Sequence, residues 1–147
     1  MNSLEQIKKL RIAWLPWSKN PIAAANLRRF SIFAQLVGLE YEVYQPGGIY
    51  DVIILNQNCD LTYWSRFKNE KTKLVFEFVD SYLDVSVLEP RALFRGLAKF
   101  LFRQHHYLEF SYHESIKQMM RRADAVVCST PEQKKSYESY NQKVFNI

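Results

Sequence analysis

The strongest constraint in this sequence is a series of short, largely apolar runs that do not alternate between polar and apolar positions. Leu10–Leu15 (LRIAWL), Asp51–Leu55 (DVIIL), Lys73–Val79 (KLVFEFV) and Ala125–Cys128 (AVVC) each have strand length and turn residues at their ends. A strand that is apolar on both sides must be covered on both faces, which is the condition inside a parallel sheet. Tyr41–Tyr44 (YEVY) and Lys143–Ile147 (KVFNI) add two weaker strands, making six. Helix signals fill the gaps. Asn20 and Pro21 supply a cap and a first-turn proline for a helix over Ile22–Val37, with Gly38 as its stop. In that helix Leu27, Phe30, Ile32, Phe33 and Leu36 form an apolar face. A short helical stretch spans Leu61–Asn69. A long one spans Arg91–Arg122, broken near His105–Ser111. A last helix starts at Ser129-Thr130-Pro131-Glu132 and runs to about Tyr140. This alternation predicts an α/β fold: one Rossmann-like domain over residues 1–147, with a doubly wound sheet of about six mainly parallel strands and helices on both faces. A Rossmann strand order is the first expectation and a flavodoxin-like order its rival.

Composition narrows the class. Of 147 residues, 48% are hydrophobic and 15% aromatic, enough for one well-filled core and against disorder. No stretch of ~18 apolar residues is free of charge, so no membrane-spanning helix is expected. Met1–Leu10 carries Glu5, Lys8 and Lys9 and does not read as a secretory signal. The expected location is cytoplasmic, with peripheral attachment at the inner face of the membrane as an option. Cys59 and Cys128 have neither disulfide-framework nor metal-ligand spacing and read as reduced thiols, Cys128 within a strand. No C-x-x-C, H-E-x-x-H or G-x-x-x-x-G-K-[ST] occurs. No cofactor and no metal is expected.

In a doubly wound sheet ligands lie beyond the carboxyl ends of the strands. Those ends are Pro16–Asn20, Asn56–Asn58, Asp80–Asp84 and Ser129–Thr130. The first loop lacks G-x-G-x-x-G and carries Trp17, Ser18 and Lys19 instead, which argues against a dinucleotide site. Asn20 either caps the following helix or helps it receive an anionic or hydroxyl-rich group. Glu77 lies in an otherwise apolar strand. A buried carboxylate there must be paired or hydrogen-bonded, so it faces a cleft, pairs with a basic helix residue or is solvated at an edge. Asp80 and Ser81, at the end of the same strand, are cleft candidates. His106 and His113 stand two helical turns apart, but no third ligand accompanies them, and neither they nor His105 read as a metal site. Each reads as an exposed or bonded histidine, with one of them available to a cleft as acid, base or hydrogen-bond donor.

Three segments together resemble the N-terminal domain of GT-B glycosyltransferases of the large group-one family (family four). These are Arg11-Ile12-Ala13-Trp14-Leu15-Pro16 before a loop and helix, Leu74-Val75-Phe76-Glu77-Phe78-Val79-Asp80, and Arg122-Ala123-Asp124-Ala125-Val126-Val127-Cys128-Ser129-Thr130. The resemblance implies the acceptor-binding half of an enzyme that moves a sugar from a nucleotide-sugar donor to an acceptor such as a lipid-linked or cell-surface glycan. In the family this occurs usually with retention and without a required metal. It further implies a C-terminal Rossmann donor-binding domain as partner, absent from these 147 residues. The reaction then takes place in a cleft between the domains, and this fragment is inactive alone. The cleft-lining candidates are Trp17, Ser18, Lys19, Asn20, Glu77, Asp80, Ser81, Ser129 and Thr130; no catalytic residue is assigned. The chain departs from the family where many members carry Gly-Gly in the first loop. The alternative reading is a non-catalytic α/β binding or interaction domain of Rossmann or flavodoxin type.

The net charge of +5 has a local origin. Residues 91–122 hold seven Lys+Arg and two acids, so this stretch carries the whole excess and the remainder is neutral. Arg91, Arg95, Lys99 and Arg103 recur every four residues, a spacing that keeps them on one side of a helix. Leu93, Phe94, Leu97, Phe100, Leu101 and Phe102 lie between them. Such a stripe suits an anionic membrane surface or a lipid-linked acceptor, or is a solvated face of a helix packed on the sheet. Exposed apolar residues here also offer a contact for the absent domain or for a second copy of the chain. The stripe is short and matches no nucleic-acid module, which makes nucleic acid the weakest partner. If the stripe meets a membrane, the protein co-sediments with anionic vesicles at low salt and is released as salt rises; no sedimentation at low salt eliminates that reading.

Overall fold

The computed structural model describes residues 9–18, 30–78, 100–102, 105–107 and 111–147. The elements in chain order are β1 (Ile12–Trp14), α1 (Phe30–Val37), β2 (Glu42–Val43), β3 (Val52–Asn56), α2 (Leu61–Trp64), β4 (Lys73–Glu77), α3 (Tyr112–Arg122), β5 (Ala125–Cys128), α4 (Pro131–Tyr137) and β6 (Val144–Asn146). The six strands form one sheet, all parallel, in the order β2-β1-β3-β4-β5-β6. The Rossmann-like α/β class is therefore the fold of this chain. The order within it is the flavodoxin type, extended by one strand, rather than 3-2-1-4-5-6. The reason lies in which strands need cover. β2 is two residues long with Val43 exposed, and so tolerates an edge. β3 has Ile53, Ile54 and Leu55 buried, and must sit between two neighbours.

Pleating divides the strand residues between two packed layers. Ile12, Trp14 and Ile54 point to the face on which Phe30 of α1 packs, with Tyr41 and Val75. Ala13, Ile53, Leu55, Leu74, Phe76, Phe78, Val126 and Cys128 point to the other face, with Leu61 and Trp64 of α2, Ile116, Met119 and Met120 of α3, and Tyr137 of α4. Two faces, each with its helices, is what crossovers of one hand produce when the chain reverses direction between β1 and β3.

Several boundaries differ from the sequence reading. The stretch expected to be helical over Leu61–Asn69 makes only one helical turn, Leu61–Trp64. The chain then closes through tighter bonds, Arg66 N–H to Tyr63 C=O and Phe67 N–H to Trp64 C=O. Of the long region Arg91–Arg122, Phe100 and Leu101 and the element Tyr112–Arg122 are helical among the described residues, and residues 105–107 form bends, in line with the expected break. The last helix ends at Tyr137 instead of Tyr140. The apolar face expected for the first helix is also corrected. Ser31 and Ala34 are its buried residues, whereas Ile32, Phe33 and Leu36 are 45%, 50% and 81% exposed. Phe30, of the expected face, packs on Trp14, Leu27 lies outside the described residues, and Ile32, Phe33 and Leu36 are turned away. Gly38, at φ +61, stops α1 with the Leu39 N–H bonded to Ala34 C=O, as the sequence suggested.

The Ala-Asp pair that precedes β5 has a structural role. The carboxylate of Asp124 accepts from the Leu74 backbone N–H at 2.9 Å and pairs with Lys73 Nζ at 3.1 Å, while its own N–H donates to Leu74 C=O. These bonds fasten the start of β5 to the start of β4. Partial burial raises the carboxyl pKa, but the Leu74 N–H and Lys73 outweigh it and hold the group below the ordinary carboxylate range. A depressed folded-state pKa stabilises the fold above the unfolded value near ~4, and the contribution disappears as pH falls through the folded value. Asp124→Ala is expected to cost about 1–3 kcal/mol at pH 7, measured by urea unfolding, and to converge with the wild type in strong acid.

Candidate functional site

Because every strand runs the same way, the residues that follow β1, β3, β4 and β5 gather at one edge of the sheet. The direction of winding reverses between β1 and β3, and the crevice of a doubly wound sheet opens at such a reversal. The loops on its two sides are 15–18 and 57–60. Asn56, buried at the end of β3, joins them: its Nδ2 donates to Leu15 C=O at 2.6 Å, and its Oδ1 accepts from Asn58 N–H at 2.8 Å. Trp17 and Ser18 lie half-buried on the β1 side of this crevice. Glu77 ends β4, paired in register with Asn56 on one side and Val127 on the other, and is only 5% exposed. Of the three alternatives for Glu77, edge solvation is thereby removed.

Ser129 and Thr130 follow β5 at the same edge, and the structure commits both to the next helix. Thr130 Oγ1 accepts from Gln133 N–H, and Ser129 N–H donates to Gln133 Oε1 at 2.8 Å. Lys19, Asn20, Asp80 and Ser81 lie outside the described residues, as do Arg91, Arg95, Lys99 and Arg103. The structure therefore brings together Trp17, Ser18, Glu77, Ser129 and Thr130 along one edge.

The most developed polar cluster at this edge was only half visible in the sequence. Asp60 is the N-cap of α2, and its Oδ1 accepts from Thr62 N–H, Tyr63 N–H and the Thr62 hydroxyl. Its Oδ2 faces His106, accepting from the backbone N–H at 2.8 Å and lying 2.8 Å from Nδ1. The Tyr107 N–H donates to Thr62 Oγ1 at 3.2 Å, the Arg66 guanidinium covers the Tyr107 ring, and the His106 ring lies 4.7 Å from that of Tyr63. Residues 105–107 are thus bound to the start of α2. Helix α2 itself is too short to hold its place by its own bonds. Trp64 anchors it, buried and packed edge-on against Tyr44 at 5.2 Å.

Electrostatics keep Asp60 ionised. Burial works to raise its pKa, but bonds from the Thr62 hydroxyl, His106 and the Tyr63 N–H prevail and hold it below the usual carboxylate range. The neighbouring Cys59 goes the other way: burial, followed by the Asp60 charge, pushes its thiol far up, toward the protonated form. Among the described residues no three His, Cys, Asp or Glu side chains are grouped as a metal would require, and no helix is long and apolar enough to cross a membrane.

The reading of three histidines as candidates included His106, but nothing marked Asp60 as its partner across 46 residues. The available signal was local: Asp60-Leu61-Thr62 at a helix start is a capping pattern. Comparison with protein-family models, curated proteins and solved structures finds no match.

Asp60→Ala is expected to cost about 1 kcal/mol through the lost cap, and to release residues 105–107. Hydrogen exchange checks this: exchange at the His106 and Tyr107 amides speeds up, while exchange in β3 and β4 changes only with global stability.

Proposed function

We propose that this chain is the acceptor-side domain of a nucleotide-sugar glycosyltransferase, with a separate donor-binding domain as its partner and a glycan or lipid-linked glycan as its acceptor. The observation that carries the reading is the composition of the crevice at the β1–β3 reversal. The loop after β1 has no glycine-rich turn to let a backbone close on a pyrophosphate. It holds half-buried Trp17 and Ser18, an aromatic and a hydroxyl residue of the kinds that suit a hydroxyl-rich ring. The three-segment likeness to group-one glycosyltransferases supports the same assignment, with the donor nucleotide held elsewhere. Lys19, Asn20, Asp80 and Ser81 are proposed to complete the acceptor side, and the basic stripe Arg91, Arg95, Lys99 and Arg103 to hold the protein peripherally at the cytoplasmic face of a membrane.

One observation favours a second reading. The strand order is of flavodoxin type, which suits a non-catalytic α/β binding domain that uses the same crevice without a donor half.

Titration of the isotopically labelled protein with short oligosaccharides and, separately, with nucleotide sugars tests the assignment. Oligosaccharide binding is expected to shift residues 15–18 and 56–58, nucleotide sugars to shift none, and sugar transfer to be undetectable. Transfer by the 147-residue chain alone overturns the half-enzyme reading, and nucleotide-sugar binding without glycan binding overturns the acceptor-side assignment.

A further inference from the structure

We propose that the outer edge of β6 is an interaction surface for a second copy of this chain. The copy pairs antiparallel about a two-fold axis through Phe145 and joins two six-stranded sheets into one. The inference goes beyond the sugar-transfer reading and makes no use of it.

The bonds of β6 decide which backbone groups are left over. Lys143 C=O accepts from Val126 N–H at 2.9 Å, and Ile147 N–H donates to Cys128 C=O at 3.1 Å. The parallel register, with Phe145 beside Val127, turns the N–H and C=O of Phe145 toward β5 as well. The N–H and C=O groups of Val144 and Asn146 therefore point off the sheet. No described residue bonds them, and β6 has no neighbour on that side among the described residues. Two donors and two acceptors in a row are a template for one more strand. The two edges of the sheet differ in this respect. β2 is two residues long, has Glu42 tied to Arg11 at 2.6 Å and runs into a turn at Pro46-Gly47, which are protections of an edge. At β6, Phe145 and Ile147 are 54% and 70% exposed, and Lys143 is the only charge from 141 to 147.

The match of this edge with itself selects a second copy as the occupant. A two-fold axis across the edge makes the added strand antiparallel and sets the residue on the axis against its own copy. With Phe145 there, Val144 faces Asn146 of the partner subunit and exchanges both bonds with it, and the same holds in reverse, so every open group is used. An axis through Val144 or Asn146 leaves the other of the two beyond the end of the partner strand. Phe145 then forms a non-hydrogen-bonded pair with its copy, the closer kind, with Cα atoms ~4.5 Å apart, and each exposed ring covers the other. Lys143 comes opposite Ile147 of the partner subunit, its stem over the exposed side chain and its ammonium in water. The two Lys143 ammonium groups lie at opposite ends of the pair, so the edge does not repel itself. An edge this short buries less than the ~1,200–2,000 Å² of stable complexes, so monomer and dimer exchange readily.

Sedimentation velocity of the 147-residue protein over a dilution series is expected to show a monomer–dimer equilibrium. Amide hydrogen exchange locates the contact: protection at Val144 and Asn146 rises with protein concentration, whereas Phe145 and Ile147, bonded to β5, are protected at every concentration. In a mixture of labelled and unlabelled chains, isotope-filtered spectra are expected to show Phe145 in contact with Phe145 of the partner subunit. Phe145→Glu sets like charges face to face on the axis and should weaken the dimer at least about tenfold. Asn146→Pro removes an N–H that β5 does not use, so it spares the pairing within the chain and should weaken the dimer to a similar degree. A chain that stays monomeric at every concentration, a folded variant that associates like the wild type, or a dimer whose contacts leave Phe145 out overturns the proposal.

Discussion

All six strands run in the same direction, and the fold follows from what that demands. A parallel strand in the middle of a sheet is buried on both faces, so its neighbours and both helix layers must be in place together. β3 and β4 carry this burden: Leu55, Leu74 and Phe76 are fully buried, and their registers set Asn56 beside Glu77 at the carboxyl end. The opposite end is held by Asp124, which bonds the entry to β5 onto Leu74 and Lys73. The acidic residue of the Ala-Asp pair thus works at the edge of the sheet away from the candidate site. Its part in the resemblance to glycosyltransferases reflects the needs of a parallel strand more than those of chemistry.

Placement of the site is a consequence of the same arrangement. Winding that departs from β1 in both directions leaves the loops after β1 and β3 without a crossover between them, and Asn56 bonds one to the other. Asp60 serves two ends at once. It closes the exposed N–H groups of a one-turn helix and holds a histidine whose chain position is far away. Cys59, next in sequence, is pushed toward the thiol form by burial and by the Asp60 charge. Functional loops on a rigid scaffold commonly combine such duties, because a side chain that stabilises the loop also fixes its geometry.

Much of this architecture was legible in the chain. The doubly apolar runs named four strands and predicted their burial, and Thr130-Pro131 marked the start of α4. Gly38 marked the end of α1. The face of α1 was read correctly at Phe30, which packs on Trp14, but not at Ile32, Phe33 and Leu36, because hydrophobicity alone ranks these above the buried Ser31 and Ala34. At the carboxyl edge of the sheet, Trp17, Ser18, Ser129 and Thr130 were placed by their positions after strands, whereas Glu77 was read inside its strand and ends it instead. The Asp60 partner of His106 was not recognised, since no local pattern relates residues 46 apart.

The sequence by itself determined the class of the fold, because a strand apolar on both sides has few stable environments other than a parallel sheet covered by helices. It also determined that the loop after β1 lacks a glycine-rich phosphate turn. Only the tertiary structure decided the strand order, which depends on how edge and interior places are shared among strands of different length and burial. It alone joined Asp60 to His106, since such a contact exists only after β3 has been seated beside β1 and the chain has returned to the same edge of the sheet.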